Sequence, residues 1–405
     1  MTVDPQPPPE GDETPGTPQR LAALQRGGGL ITALITTVSA FLIGGVVVVA
    51  TTGKNPLSTY QAIFDGTGLN WLFPWISDAE RTTAAFNLQT TLVLTTALVL
   101  TGLAVAFAFR CGLFNIGGQG QYMIGAIAGV WVGSSLSGLP GVAHVLLALL
   151  VGSLAGALLA GIAGLLKATV GAHEVIVTIM LNWIVFWLGT YLLGLGGPLH
   201  NSIPGQESVP VSNDVVESAR LLVFWGNPVL QGLHVGLFIA LGALVVYWVM
   251  LNRTSLGYEV RAVGFNPEAA RYGGINVPRN YFLAMAISGV FAGLAGVVDV
   301  LGWQFRIAVN DVQSSSIGFI GIAVALLGRN TAIGVGLSAL LFGALLTGTS
   351  TRNLDPAIFP PDLADNLTLL IQGLVVLFIG ADVLVLYLWQ ARKKLRLGNA
   401  RRGAT

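Results

Sequence analysis

The chain has 405 residues, of which 53% are hydrophobic and 10% charged, with 20 Lys+Arg against 19 Asp+Glu. About a quarter of an average soluble protein is charged, so this chain cannot clothe a soluble surface of its size, which excludes a cytosolic enzyme and a nucleic-acid binder. Its single cysteine, Cys111, excludes a disulfide framework and a Cys-rich metal site.

Residues 1–29 hold Pro5, Pro7, Pro8, Pro9, Pro15 and Pro18 and few apolar side chains, which predicts a disordered tail. A bilayer core about 30 Å thick needs roughly 20 apolar residues per helix. Leu30–Ala50 is such a run. It is too long for a signal peptide and lacks a small-residue cleavage site, so it reads as a retained first helix. Further apolar runs follow at 88–109, 113–136, 142–165, 174–197, 230–251, 281–303, 315–328, 331–350 and 367–389. The run at 315–328 is short, which predicts a tilted, broken or re-entrant segment. The expected fold is therefore all-α and polytopic, with about ten transmembrane helices. A loop at 252–280 divides a first half, 30–251, from a second, 281–390, and a basic tail occupies 391–405. The similar size of the halves predicts pseudo-symmetry from hydropathy alone.

Basic residues set the direction. With the N-terminus inside, the inner segments hold Arg20, Arg26, Arg110, Lys167, the four arginines of the 252–280 loop, Arg329 and the basic tail; the outer ones hold only Lys54, Arg81, Arg220, Arg306 and Arg352. The positive-inside rule then places both termini in the cytoplasm. Trp71, Trp75 and Trp225 in the outer loops suit a membrane–water interface.

Residues 112–125 read GLFNIGGQGQYMIG. Asn115, Gln119 and Gln121 are amides in an apolar stretch and must find partners in protein or a cavity. Gly117, Gly118 and Gly120 permit a helix break or close packing. Such a segment either lines a transport path or ties helices together. On the next long spans, Glu174 sits near Lys167 and Arg110, and Asn182 is deep enough to need a partner. Trp183 and Trp187, four residues apart, share a face that either stacks on a flat ring or meets lipid. Trp303, Gln304, Phe305, Asn310, Asp311 and Gln313 mix polar and aromatic groups near the outer end of the seventh span, while Asp299 lies deeper, with Arg306 as an easy ion-pair partner. Asp382 in the last span can reach Arg392 or Lys393. With no basic cluster on any span, these groups favour a neutral polar solute over a phosphorylated one.

A machine that moves solute uphill needs an energy source. The four lysines include none in a Walker A context, the four histidines show no metal spacing, and no GxSxG motif occurs. In the inner loop, Asn266-Pro267-Glu268-Ala269-Ala270-Arg271-Tyr272-Gly273-Gly274 spells a short helix. Asn266 can cap it, Pro267 suits its first position, Glu268 suits its positive end, and a glycine closes it before Pro278. It is either a docking element or a plain surface helix.

The Glu-Ala-Ala followed by Gly, between two hydrophobic halves, resembles the coupling segment of ATP-binding-cassette (ABC) importer permeases. The segment at 112–125 resembles the FNIGGEGQ-type signature of their nucleoside and simple-sugar branch, distantly related to branched-chain amino-acid permeases, with Gln119 where Glu is usual. Residues 171–182, with His173 where Asn is usual, and 318–330 (GFIGIAVALLGRN) resemble two further stretches. The resemblance implies a permease subunit that moves a nucleoside, or next a simple sugar, by alternating access. It binds no cofactor itself; ATP is used by separate ABC ATPase subunits. It further implies a second related permease, an extracytoplasmic substrate-binding lipoprotein, and a place in the cell (cytoplasmic) membrane. Carried over, Arg261, Phe265, Glu268, Ala269, Ala270, Arg271 and Gly274 meet the ATPase, and Phe114, Asn115, Gln119, Gln121, Asn182, Trp183 and Asp299 are the path candidates. The competing reading is an ion-coupled secondary transporter, which needs embedded titratable groups central to the path, and for these Asp299 and Glu174 are the only candidates.

Overall fold

The computed structural model describes residues 38, 41–50, 53, 55–136, 138–202, 204–205, 207–227 and 232–350, with five further positions between 369 and 377. The proline-rich tail, most of the first half of the Leu30–Ala50 run, Asp382 and the basic tail lie outside the described residues, as does the 367–389 run apart from those five positions.

Helix α1 covers Phe41–Ala50. Helix α2, Pro56–Thr67, opens on Asn55, whose side chain accepts from Leu57 N–H, and closes on Gly68 in the left-handed region at φ 74°. Helix α3, Asp78–Arg110, runs 33 residues, with acids in its first turn and Arg110 in its last, matching the helix dipole. At 1.5 Å per residue it is about 50 Å long, more than a bilayer core. Helices α4 (Gly118–Ser135), α5 (Gly141–Val170) and α6 (Glu174–Leu193) follow. The segment between α6 and α7 carries a two-stranded antiparallel ribbon, β1 (Val223–Trp225) and β2 (Leu233–His234). Helix α7 is Gly236–Arg253, and the loop beyond it holds α8 (Ser255–Phe265) and α9 (Pro267–Tyr272). Helix α10, Val277–Asp299, passes into a π-helical turn at Val300–Gln304. The last described helices are α11 (Val309–Ser314), α12 (Ile317–Leu327) and α13 (Ala332–Gly348).

Six stretches among the described residues are long and apolar enough to cross a membrane: α3, α5, α6, α7, α10 with its π turn, and α11–α12 together. The short run at 315–328 is thus the second piece of a broken element, interrupted at Ser315–Ser316.

Helix α10 packs on α5 most extensively, and also on α4 and α3; α12 and α13 pack on α3. The sequence halves therefore interlock. Glycine sets the closest approach. A Cβ on Gly156 of α5 would lie 2.8 Å from Gly293 Cα of α10, and one on Gly293 would lie 3.1 Å from Gly156 Cα. Lipid tails are as apolar as leucine, so association inside a bilayer depends on such backbone proximity and on van der Waals contact.

Candidate translocation site

The site begins where α3 stops. Gly112 takes φ 74°, and the chain climbs back without helix until Gly118, whose open side is bounded by Val105 of α3 and the Gly318 carbonyl. Non-helical backbone at membrane depth survives only where protein satisfies it. Asn115, fully buried, does most of this. Its Oδ1 accepts from Gly117 N–H at 2.9 Å, and its Nδ2 donates to Ser288 Oγ at 2.7 Å. It also exchanges two amide hydrogen bonds with Gln121, at 2.8 and 3.0 Å. Asn115 and Gln121 are thus paired inside the protein and border neither cavity described below. Phe114 stacks on Phe109, ring centres 5.0 Å apart, and it too stands apart from the cavities.

Gln119 and Asn182 tie the break to its neighbours. Gln119 Nε2 donates to the Ser315 carbonyl at 2.9 Å, and its Oε1 accepts from Gly318 N–H at 2.8 Å, bridging the interruption between α11 and α12. Asn182, on α6, accepts from Gly120 N–H at 2.8 Å and donates to the Ile116 carbonyl at 3.0 Å. It therefore caps α4 from a neighbouring helix and holds one of the N–H groups that a helix start leaves without an internal partner.

Around these struts lies a cavity of about 220 Å³, bordered by Gln119, Asn182, Trp183, Phe186, Gln313 and Phe319 among others, with no charged side chain among the described residues that line it. A second, of about 370 Å³, is bordered by Tyr122, Trp303, Gln304, Asp311 and Ile317. Both are lined by Met123 and Ser315. The larger one falls in the range of about 300–1,000 Å³ typical of small-molecule sites, and the smaller one lies just below it. Ser315 Oγ is buried and has no hydrogen-bond partner among the described residues. Sequence reasoning passed over Ser315, although Ser314-Ser315-Ser316 is a polar interruption directly before the apolar run of α12.

Asp299 is 2% exposed. Its carboxylate accepts from the Tyr122 hydroxyl, the Trp303 indole N–H and Gln304 Nε2, the last at 2.7 Å. The expected partner Arg306 instead faces Asp214 at 3.9 Å. Asp299 therefore stands behind the wall of the larger cavity and fixes three residues that line it. The π turn at Val300–Gln304 brings Trp303 and Gln304 back to Asp299, and Phe305 closes the turn at φ 58°. Trp183 borders the smaller cavity while 54% exposed; Trp187 does not border it. Glu174 pairs with Lys167 at 2.9 Å, the structural role among its alternatives.

The loop helix α9 forms with the caps its sequence spells. Asn266 Oδ1 accepts from Ala269 N–H at 3.0 Å, Pro267 is at the first position, and Gly274 takes φ 82°. Ala270 faces inward, 5% exposed, whereas Phe265 and Tyr272 are 95% and 93% exposed. Glu268 and Arg271 face each other at 3.7 Å on the outer surface, and Ala269 is exposed beside them. Arg261, on α8, uses Nε to donate to the Gly257 carbonyl at 3.2 Å and borders a separate cavity against α7 and α13.

Residues 87–380 match the family described as "Branched-chain amino acid transport system / permease component". A guanosine ABC transporter permease of Bacillus subtilis is 36% identical over 370 residues, covering 89% of this chain and 97% of the relative. A nucleoside ABC transporter permease of Lactococcus lactis is 32% identical, covering 91% and 95%. A glucose ABC transporter permease of Haloferax volcanii is 34% identical, covering 86% of each. A second guanosine permease of Bacillus subtilis is 29% identical over 62% of this chain and 78% of its own length. No solved structure matches. With most of its length matched and its broken, amide-braced helices built around an uncharged cavity, the chain belongs to this family of multi-pass transport permeases.

Proposed function

We propose that the chain is the membrane subunit of an ATP-driven nucleoside importer. The observation that carries this is the uncharged cavity between α4, α6, α11 and α12, where amides and aromatic rings surround a buried, unpartnered serine hydroxyl. A nucleobase offers flat faces to Trp183, Phe186 and Phe319, and its edge and sugar offer donors and acceptors to Gln313 and Ser315. A phosphorylated or ionic solute would find no counter-charge there. The relatives named for guanosine and nucleosides support the same reading, and the one named for glucose makes a simple sugar the second choice.

The chain performs no bond chemistry. ATP hydrolysis falls to separate ATPase subunits docking on α9 and the end of α8, where Tyr272 and Phe265 project from the protein. A second related permease completes the pathway, in keeping with the similarity to two guanosine permeases of one organism. An extracytoplasmic binding lipoprotein delivers the solute, and both termini lie in the cytoplasm. Closure of the ATPases displaces the loop, and the broken helices exchange access between the two membrane faces.

The test is uptake into proteoliposomes holding the complete transporter and ATP. Labelled guanosine or uridine accumulates and glucose competes weakly; accumulation of glucose with no nucleoside uptake, or uptake that persists without ATP, would overturn the reading. Ser315→Ala removes one neutral hydrogen bond to solute, which raises KM by roughly 2- to 12-fold with little change in the amount of assembled protein.

A further inference from the structure

We infer that the cavity where α3, α7, α8 and α13 meet binds the phosphate-bearing headgroup of an anionic phospholipid. The cavity, of about 300 Å³, lies at the membrane end that carries α8 and α9, and is bordered by Arg110, Trp248, Arg261, Asn330, Thr331 and Ile333 among others. Two guanidinium groups face it, and no carboxylate is among the described residues that line it. Neither arginine pairs with an acid among the described residues. Arg110 spends Nε and Nη2 on the Asn330 carbonyl, at 3.0 and 2.6 Å, and also lies against the Tyr247 hydroxyl, so it supplies mainly charge to the cavity. Arg261 spends only Nε, leaving both Nη atoms. The Asn330 amide has one buried end without a partner among the described residues, and because amide O and N exchange by rotation it can present a donor. Guanidinium donors of this kind match phosphate oxygens in geometry and charge.

The mouth argues for a lipid over a soluble anion. Trp248 is 45% exposed and Ile333 76% exposed, and the outward face of α7 continues as Phe238, Leu241, Val245 and Val249, all exposed and apolar. On α13, Leu337 extends the same surface one turn beyond Ile333. These are surfaces for acyl chains. Arg253 sits over the Trp248 ring at 5.4 Å, an aromatic and a cation at the level where membrane meets water. A headgroup in the cavity thus has its tails on α7 and α13 with no apolar surface left wet. The turn is also held in an uncommon shape: Arg329 and Asn330 both take left-handed backbone angles, φ 50° and 53°, and the Asn330 carbonyl is gripped by Arg110 and by the Tyr247 hydroxyl, at 2.8 Å.

The test uses the full chain in nanodiscs of zwitterionic lipid with about one-fifth phosphatidylglycerol, and native mass spectrometry to read the lipids retained, each guanidinium near the surface being worth roughly fivefold in preference. Phosphatidylglycerol is retained over phosphatidylcholine, and Arg261→Gln cuts that preference roughly fivefold. Thr331→Asp does the same by placing a carboxylate at the mouth; aspartate caps a helix as well as threonine does, so α13 keeps the start that Thr331 now gives it. Arg306→Gln, at the opposite end, leaves the preference intact. Equal retention of both lipids, or a preference unmoved by Arg261→Gln and Thr331→Asp, would overturn the assignment. Displacement by inorganic phosphate would assign the cavity to a soluble anion, and loss of the lipid on adding the ATPase would assign the surface to that subunit.

Discussion

Asn182 is the residue whose removal tests the site's construction most directly. Leucine has the same branching with bulkier ends, for which the adjoining cavity leaves room, so Asn182→Leu keeps the outline and deletes both hydrogen bonds. It strands the Gly120 N–H and the Ile116 carbonyl beside the cavity. An unsatisfied buried polar group costs about 1–3 kcal/mol. Water in the adjoining cavity relieves part of this, so the two together cost about 2–3 kcal/mol. The readout is built into the chain. Its one cysteine, Cys111, is 1% exposed where α3 gives way to the break, and burial pushes its thiol up to about 12. The thiolate is the reactive form, so a maleimide at neutral pH labels Cys111 only when this region opens. With labelling limited by the open population, a loss of 2–3 kcal/mol speeds it roughly 30- to 150-fold. Trp183→Leu, on the exposed face of the same helix, supplies the control and changes the rate less than about threefold. An Asn182→Leu rate within that same margin would refute the view that Asn182 is a strut of the break.

Other expectations follow from the same geometry. Phe265→Ala and Glu268→Ala lower ATP-driven uptake while leaving thermal stability unchanged, because Phe265 is almost fully exposed and an exposed pair such as Glu268–Arg271 is worth about 0–1 kcal/mol; equal uptake in both variants counts against docking on α9. Gly156→Leu drives a side chain into α10, where even a Cβ comes within 2.8 Å of Gly293 Cα, so little folded protein is recovered by size-exclusion chromatography from the variant, whereas Gly242→Leu, with open space around it, behaves as wild type. His234 is buried against Gly302, and desolvation holds its imidazole down at about 4, below its ordinary 6.5. Its neutral form is the one the fold accommodates, so its contribution is complete above pH 6.5 and is lost as pH falls toward 4, by up to about 1.4 kcal/mol per pH unit. Tryptophan-fluorescence melting shows this as a falling Tm below pH 6.5 that flattens in His234→Gln; identical pH profiles would rule it out.

Much of the fold was legible because its signals are local. Apolar runs located the helices, and the caps of α9 were written in consecutive residues: Asn266, Pro267, Glu268 and Gly274 act on backbone no more than a few positions away. The amides at 115, 119, 121 and 182 were equally visible as polar groups that hydrocarbon forbids. Their roles were not, since most depend on how the chain folds back on itself or on a distant segment. Asn115 and Gln121 satisfy one another, Gln119 reaches Ser315 and Gly318, and Asn182 reaches back to Ile116 and Gly120. Ser315 was missed for the same reason. Its importance comes from two cavities meeting there, and a hydroxyl at a helix break reads in sequence like any loop serine.

The contact between the loop and the break shows what such distant pairings add. Gly264, near the end of α8, packs against the backbone where α3 ends; a Cβ there would strike the Arg110 carbonyl and lie 2.9 Å from both the Cys111 carbonyl carbon and Gly112 N. Gly112 answers with a left-handed φ of 74°, its own missing side chain 3.3 Å from Gly264 Cα. Glu259, one turn earlier on α8, accepts from Asn280 Nδ2 at 2.9 Å and so fastens the same helix to α10. A displacement of α8 and α9 therefore meets two stiff contacts. One is the start of the break that ends where α4 begins at Gly118, and the other is the helix that ends in Asp299 and the π turn. Packed protein transmits such shifts because it has no slack to absorb them. The solute-facing walls are thus braced from both sides by groups whose positions depend on that loop. On the proposed reading, a soluble motor acting on α9 would push along packed protein toward Ser315 with no charged relay inside the membrane, which accords with how few charges the spans contain.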